Sequence, residues 1–249
     1  MSESCGLKPK KVAIVGFTSH SQLAPFNSPD FEIWGLNDLY DFIPRFSRWF
    51  EIHSRERVDS LKSSRTEKNH LEALRQLPCP VYMQQHYEDI PNSIPYPIKE
   101  VQEDIGASFI NEFNGYLTNS ISMMIALAIM ERFQEIHVYG VDMAVGHEEY
   151  GKQRPSCEFW LGVAAGRGIK LYIPKEADLL TSLFIYGYEA EKQDAFMAKI
   201  NQVLNDIDAK KNDAYRQELI QRDYKNQYIG AHEGIKEVMT RWIMTQGGV

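Results

Sequence analysis

The chain has 249 residues, 43% of them hydrophobic and 24% charged. That composition is globular and excludes a chain that is disordered, collagenous or coiled coil throughout. The formal charge is −7, from 27 basic and 34 acidic residues, so the bulk balance does not predict nucleic acid as a partner. Three cysteines (Cys5, Cys79 and Cys157) are an odd number without paired spacing. They predict neither a disulfide framework nor a metal cluster, and they fit a reducing cytoplasm. The apolar run from Ile121 to Met130 is about half the length a membrane span needs, and nothing before KVAIVGF has signal-peptide length, so a cytoplasmic location without a membrane partner is expected.

In chain order, Lys11–Phe17 (KVAIVGF) reads as a strand closed by glycine. Phe31–Gly35, Trp49–His53, Val81–Met83, Glu135–Val141 and Gly168–Ile173 read as five more. Their runs are nearly continuous in apolar residues, as in a parallel sheet buried on both faces. Helical patterns fill the gaps: Arg55–Gln76, Asn119–Phe133 with a cap at Thr118 or Asn119, and Pro155–Arg167 with Pro155 in the first turn. This alternation predicts a doubly wound, mainly parallel α/β sheet over residues 1–178. After about residue 178 the composition turns rich in Lys, Glu, Gln and Asp. Glu189–Ile207, Ala209–Tyr228 and Ala231–Thr245 then predict a helical C-terminal appendage, residues 179–249, able to pack on the sheet or to form a homo-oligomer.

Ligands in open α/β sheets bind beyond the carboxyl ends of the strands, so polar residues there are the candidates. The loop Gly16, Phe17, Thr18, Ser19, His20, Ser21 follows the first strand and suits a phosphate: glycine admits the backbone, and hydroxyls and amides donate. It is neither a dinucleotide fingerprint nor a P-loop. Asn37 follows the second strand, with a donor and an acceptor for a base edge or a ribose hydroxyl. His53, at the end of the third, is a candidate base on the same strand face as Glu51. Asn119, Ser120 and Ser122 open the most apolar helix, where free N–H groups and the helix dipole favour an anion. Gly140 and Asp142 follow the strand EIHVYGV; a carboxylate there is costly unless partnered, which points to a ribose diol or a catalytic role. Arg154 can grip a phosphate in two-pronged fashion, and His147 is the second candidate base. Cys157 falls at the start of the Pro155 helix, where its thiol would be activated, or is a buried structural thiol.

Taken together, VAIVGF, LAPF, EIWGLNDLY, RWFEIH, YGVDMA and EEYGKQRPSCEFWLG resemble a set of proteins commonly encoded by tailed bacteriophages, over about residues 10–180. That resemblance implies a phage-encoded protein working in the host cytoplasm. More distantly, the layout resembles the Rossmann-like bacterial sialyltransferases and motility-associated glycosyltransferases. It is similar in three places: a loop after the first strand (Gly16–Ser21), an asparagine after the second (Asn37) and a Gly-x-Asp after a later one (Gly140 and Asp142). Where those families carry a Gly-Asn-Gly-Pro-Ser type turn, this chain has Gly16-Phe17-Thr18-Ser19-His20. The resemblance implies a nucleotide or nucleotide-sugar ligand and a glycosyltransferase-like activity. The alternative is a non-catalytic binder that sequesters a host signalling nucleotide in the same pocket.

Overall fold

The structure is a computed structural model and describes residues 10–60, 69–106, 113–143 and 148–246. Among the described residues seven strands form one sheet: β1 (Lys11–Val15), β2 (Phe31–Leu36), β3 (Arg48–Phe50), β4 (Val81–Met83), β5 (Ser93–Pro95), β6 (Glu135–Tyr139) and β7 (Lys170–Tyr172). The spatial order is β5-β4-β3-β2-β1-β6-β7. All six pairings are parallel, with Ile14 beside Trp34 on one flank of β1 and Val15 beside Tyr139 on the other. The expected Rossmann-like, doubly wound sheet is therefore what the chain forms.

Helices fill the connections: α1 (Arg55–Ser60), α2 (His70–Gln76), α3 (Ile98–Gly106), α4 (Ser120–Met130) and α5 (Glu148–Gly166). Val12, Ala13, Ile14 and Val15 are all at 0% exposure, and strand side chains alternate between faces, so both faces of the sheet are covered. Trp34, Trp49 and Phe50 extend this core along the sheet, and Met124, Ile125, Ala128 and Ile129 of α4 close over it.

The connectivity places the site. From β1 the chain steps outward through β2 to β5, then returns to lay β6 against the other edge of β1. The neighbours of β1 thus belong to opposite runs. At such a reversal the loops leaving the strand ends diverge and open a crevice.

Several elements differ from the sequence expectation. Strand β3 ends at Phe50, so Glu51 and His53 lie past the sheet. Strand β5 and helix α3 carry too weak a signal: β5 is three residues at the sheet edge, where a proline is tolerated. The single helix expected over Arg55–Gln76 is α1 and α2, with 61–68 outside the described residues. Helix α5 begins at Glu148, so Pro155 lies inside it rather than in its first turn. The three C-terminal helices are one, α6 (Ala190–Gln246), because single glycines such as Gly230 weaken a helix without ending it. The chain divides into two compact units, one up to Thr181 and one from Ser182. Among the described residues no helix is long and apolar enough to cross a membrane.

Candidate functional site

A cleft of about 590 Å³ lies at the reversal point, within the size range of small-molecule sites. Its walls come from the ends of four strands and the start of α4. Gly16, Phe17 and Thr18 follow β1, Asn37 follows β2, Ile52 and His53 follow β3, and Gly140 and Asp142 follow β6. Thr118 to Ile121 of the α4 entrance and Arg57 of α1 complete it.

Two glycines allow the β1 and β6 loops to meet. A Cβ on Gly16 would stand 2.4 Å from the Gly140 carbonyl oxygen, and one on Gly140 would stand 2.6 Å from that of Gly16. Gly140 also has φ +68°, in the left-handed region. The loops are tied by Gly16 N–H donating to Tyr139 O (2.8 Å) and Thr18 N–H to Gly140 O (3.0 Å).

This junction sets the orientation of Asp142 through a residue the sequence reading did not select. Gly140 N–H donates to His20 Nδ1 at 2.9 Å. That ring nitrogen is therefore an acceptor, and the proton sits on Nε2, which donates to Asp142 Oδ1 at 2.9 Å. Asp178 N–H donates to the same oxygen at 3.2 Å. Burial would raise the Asp142 pKa; the hydrogen bond from His20, with that from Asp178 N–H beside it, outweighs burial and holds it below the usual carboxylate range. The carboxylate expected to be costly in the empty protein is thus partnered.

His53 sits in a second histidine–carboxylate pair. Its Nδ1 is 2.6 Å from Glu51 Oε1. Glu51 has no exposed surface, and its other oxygen is 2.8 Å from His70 Nε2. The far nitrogen of His70 meets the Tyr40 hydroxyl at 3.1 Å. Burial alone would raise the Glu51 pKa, but hydrogen bonds from His53 and His70 outweigh it and hold the carboxyl at about 2. An ionised Glu51 keeps the His53 proton on Nδ1. That leaves Nε2 as a lone-pair acceptor on a ring that is 33% exposed and lines the cleft.

Asn37 adopts φ +49°, a left-handed conformation that asparagine tolerates better than most residues. Its N–H donates to Phe50 O at 3.0 Å, and its carbonyl accepts from the Trp49 indole at 2.9 Å. Its side-chain Oδ1 is buried and has no hydrogen-bond partner.

At the α4 entrance, Asn119 is the N-cap, and its Oδ1 accepts from Ser122 N–H at 2.9 Å. The Ser120 and Ile121 N–H groups, one turn too early for intrahelical acceptors, border the cleft. Thr118 Oγ1 and Asn119 Nδ2 donate to the carbonyls of Lys152 and Gln153, each at 3.1 Å, pinning this entrance to α5 beside its internal proline.

Of the candidate residues, Gly16, Phe17, Thr18, Asn37, His53, Asn119, Ser120, Gly140 and Asp142 border one cleft. Four do not. Ser19 is exposed in the short 3-10 helix after β1, and Ser21 packs against Gly140. Ser122 is buried, its hydroxyl donating to Asn119 O. Arg154 is bound by Glu158 and by the Asp178 carboxylate and carbonyl. The cation at the cleft is Arg57 instead, with no carboxylate partner among the described residues. His147 lies outside the described residues. Cys157 is buried in α5 rather than at a helix start; burial pushes its thiol up to about 12.

Glu51, His20 and Arg57 are the residues that sequence reasoning missed. A signal existed for Glu51, since Glu and His two apart near a strand end share a face. None existed for His20, whose partner is 122 residues away.

No protein-family model matches the chain, and no curated protein matches it in sequence. Solved structures similar in fold include the sialyltransferase CstII from Campylobacter jejuni with cytidine-5'-monophosphate, at 16% identity, 72% of this chain, 90% of that chain and a TM-score of 0.46. CstII with the substrate analogue CMP-3FNeuAc is similar at 17% identity, 70% of this chain, 88% of that chain and 0.44. The monofunctional α-2,3-sialyltransferase Cst-I from Campylobacter jejuni is similar at 10% identity, 82% of this chain, 97% of that chain and 0.41. The likeness is one of overall fold at low identity.

Proposed function

We propose that the cleft binds the nucleotide part of a nucleotide-activated sugar and that the chain is a glycosyltransferase-like enzyme with His53 as general base. The observation that carries this reading is the Glu51–His53 pair, a buried carboxylate orienting a histidine whose free nitrogen lines a cleft at the strand reversal. A protein that only sequesters a nucleotide needs donors and acceptors but no oriented base, so the pair favours turnover over storage.

The remaining walls suit the nucleotide. Asn37 Oδ1 is a buried acceptor in want of a donor, which a base amino group or a ribose hydroxyl supplies. Asp142, held ionised, accepts from a ribose diol. The free N–H groups at the α4 start and the Arg57 guanidinium receive phosphate.

In the transfer, an acceptor hydroxyl gives its proton to His53 Nε2 as its oxygen bonds the anomeric carbon. The bond from that carbon to the leaving phosphate oxygen breaks, and its electron pair stays on the phosphate, beside Arg57 and the α4 start. Glu51 stabilises the imidazolium that forms. A test is to supply cytidine-, uridine- and guanosine-linked sugars with simple acceptors and to follow nucleotide release. One donor class should be consumed, and His53→Ala should slow it by about 100-fold or more with nucleotide affinity within about threefold. No donor consumed, or a His53→Ala enzyme as fast as the parent, overturns the reading.

A further inference from the structure

We infer that α6 pairs, antiparallel, with α6 of a second copy of this chain about a two-fold axis at the level of residue 219. The inference is independent of the chemistry of the cleft. Helix α6 runs for 57 residues, about 85 Å. Stepping from Phe196 by alternate fours and threes traces one seam to Trp242 without a break. That 3.5-residue period is the one at which two helices supercoil with side chains interlocked, and a straight isolated helix has no use for it. The large apolar residues of the seam are 37% to 74% exposed.

The seam is apolar at both ends and polar in the middle, and it matches itself when reversed. Phe196 then opposes Trp242, Ile200 opposes Val238, and Val203 opposes Ile235. Large residues meet small ones: Ala214 faces Tyr224, and Ala231 faces Ile207. Lys210 lies against the Tyr228 ring, and Gln217 meets Gln221 at the centre. A parallel, in-register pair would instead set Lys210 on Lys210 and Ala214 on Ala214.

The apolar residues beside the seam agree. Ile220 opposes its own copy at the axis, and Met197 opposes Met239; in the parallel arrangement Ile220 would face Lys225. Like charges meet at Lys211 with Lys225, at Lys199 with Arg241 and at Glu218 with its own copy, all at exposed rims where salt screens them. The four aromatic residues of the seam are 39% to 74% exposed, so at roughly 200 Å² each they offer about 900 Å² over two copies, and the Ile and Val residues of the seam carry the total past about 1,200 Å², the lower bound of a specific interface.

The test uses the full chain in analytical ultracentrifugation from about 1 to 100 µM. The expected result is a dimer that tightens as salt is raised. Ile200→Asp with Val238→Asp should raise the dissociation constant at least about 100-fold with helical content retained. Orientation is read in a Cys5→Ser background, where Cys79 and Cys157 are buried. There the Ile220→Cys chain should cross-link to its copy with a short bis-maleimide and the Val203→Cys chain should not. The cross-link also decides the matter if the aspartate pair fails to fold. A monomer throughout the range, or a dimer unaffected by the aspartates, overturns the pairing; cross-linking through Val203→Cys in place of Ile220→Cys overturns its antiparallel form.

Discussion

Glu51 is fully buried, ionised and shared between two histidines, and its replacement separates orientation from packing. In Glu51→Gln the amide NH₂ must face one of the two imidazole N–H groups. If His53 relieves the clash by changing tautomer, Nδ1 accepts from the amide and the proton moves to Nε2, towards the cleft. Turnover should then fall by about 100-fold or more, measured as nucleotide release, while nucleotide affinity changes little. The two arginines make a contrasting pair. Arg57→Ala should weaken nucleotide binding and leave stability nearly unchanged. Arg154→Ala removes the bonds to Glu158 and Asp178 and should cost about 1–3 kcal/mol in denaturant unfolding, with affinity unchanged. Asn37, His53 and Asp142 were legible in sequence because each directly follows an apolar run that ends at the site. His20 was not, because its role depends on β6 returning to pair with β1, and Arg154 was misplaced because its partner Asp178 lies beyond the next strand.

The strand-end loops depend on two glycines, and this is a property of the β1–β6 junction rather than of either residue. Gly16→Ala drives a Cβ into the Gly140 carbonyl; Gly140→Ala drives one into that of Gly16 and adds the left-handed penalty. Each should destabilise by about 3 kcal/mol or more in chemical denaturation. A change under 1 kcal/mol would contradict this close approach of the two loops. At this scale the sequence was least legible. Three-residue β5 and helix α3, behind a proline-rich edge, lack the length that periodicity needs. The sequence suits Pro155 to a helix start, where a proline loses no hydrogen bond; inside α5 it frees a carbonyl, and the neighbouring Lys152 and Gln153 carbonyls take donors from Thr118 and Asn119.

At the scale of the molecule, the parallel sheet was readable because its strands are apolar on both faces, as burial between two helical layers requires. The hydrogen bonds that hold Glu51 ionised within this core make the fold acid-sensitive. Glu51 is held at about 2 against an ordinary 4.5. Its contribution to stability is therefore full above about pH 4.5 and is lost as the pH falls towards about 2, on the order of 3 kcal/mol. Asp142 shifts in the same direction and adds to the loss. Denaturant midpoints between about pH 6 and pH 3 should fall for the parent and fall less for Glu51→Gln. Binding is read on the intact protein as the melting temperature in the presence of nucleoside mono- and diphosphates, beside the Asn37→Ala variant. That variant relieves an unpartnered acceptor but strains a left-handed residue, two effects of about 1 kcal/mol that nearly cancel, so its own melting point should match the parent. The expected result is that one nucleotide, at about 100 times its dissociation constant, stabilises the parent by about 2.7 kcal/mol, and that the gain falls to about half in Asn37→Ala as the lost hydrogen bond weakens binding about tenfold. A parent that no nucleotide stabilises, or an Asn37→Ala variant stabilised as much as the parent, would contradict a nucleotide seated in this cleft.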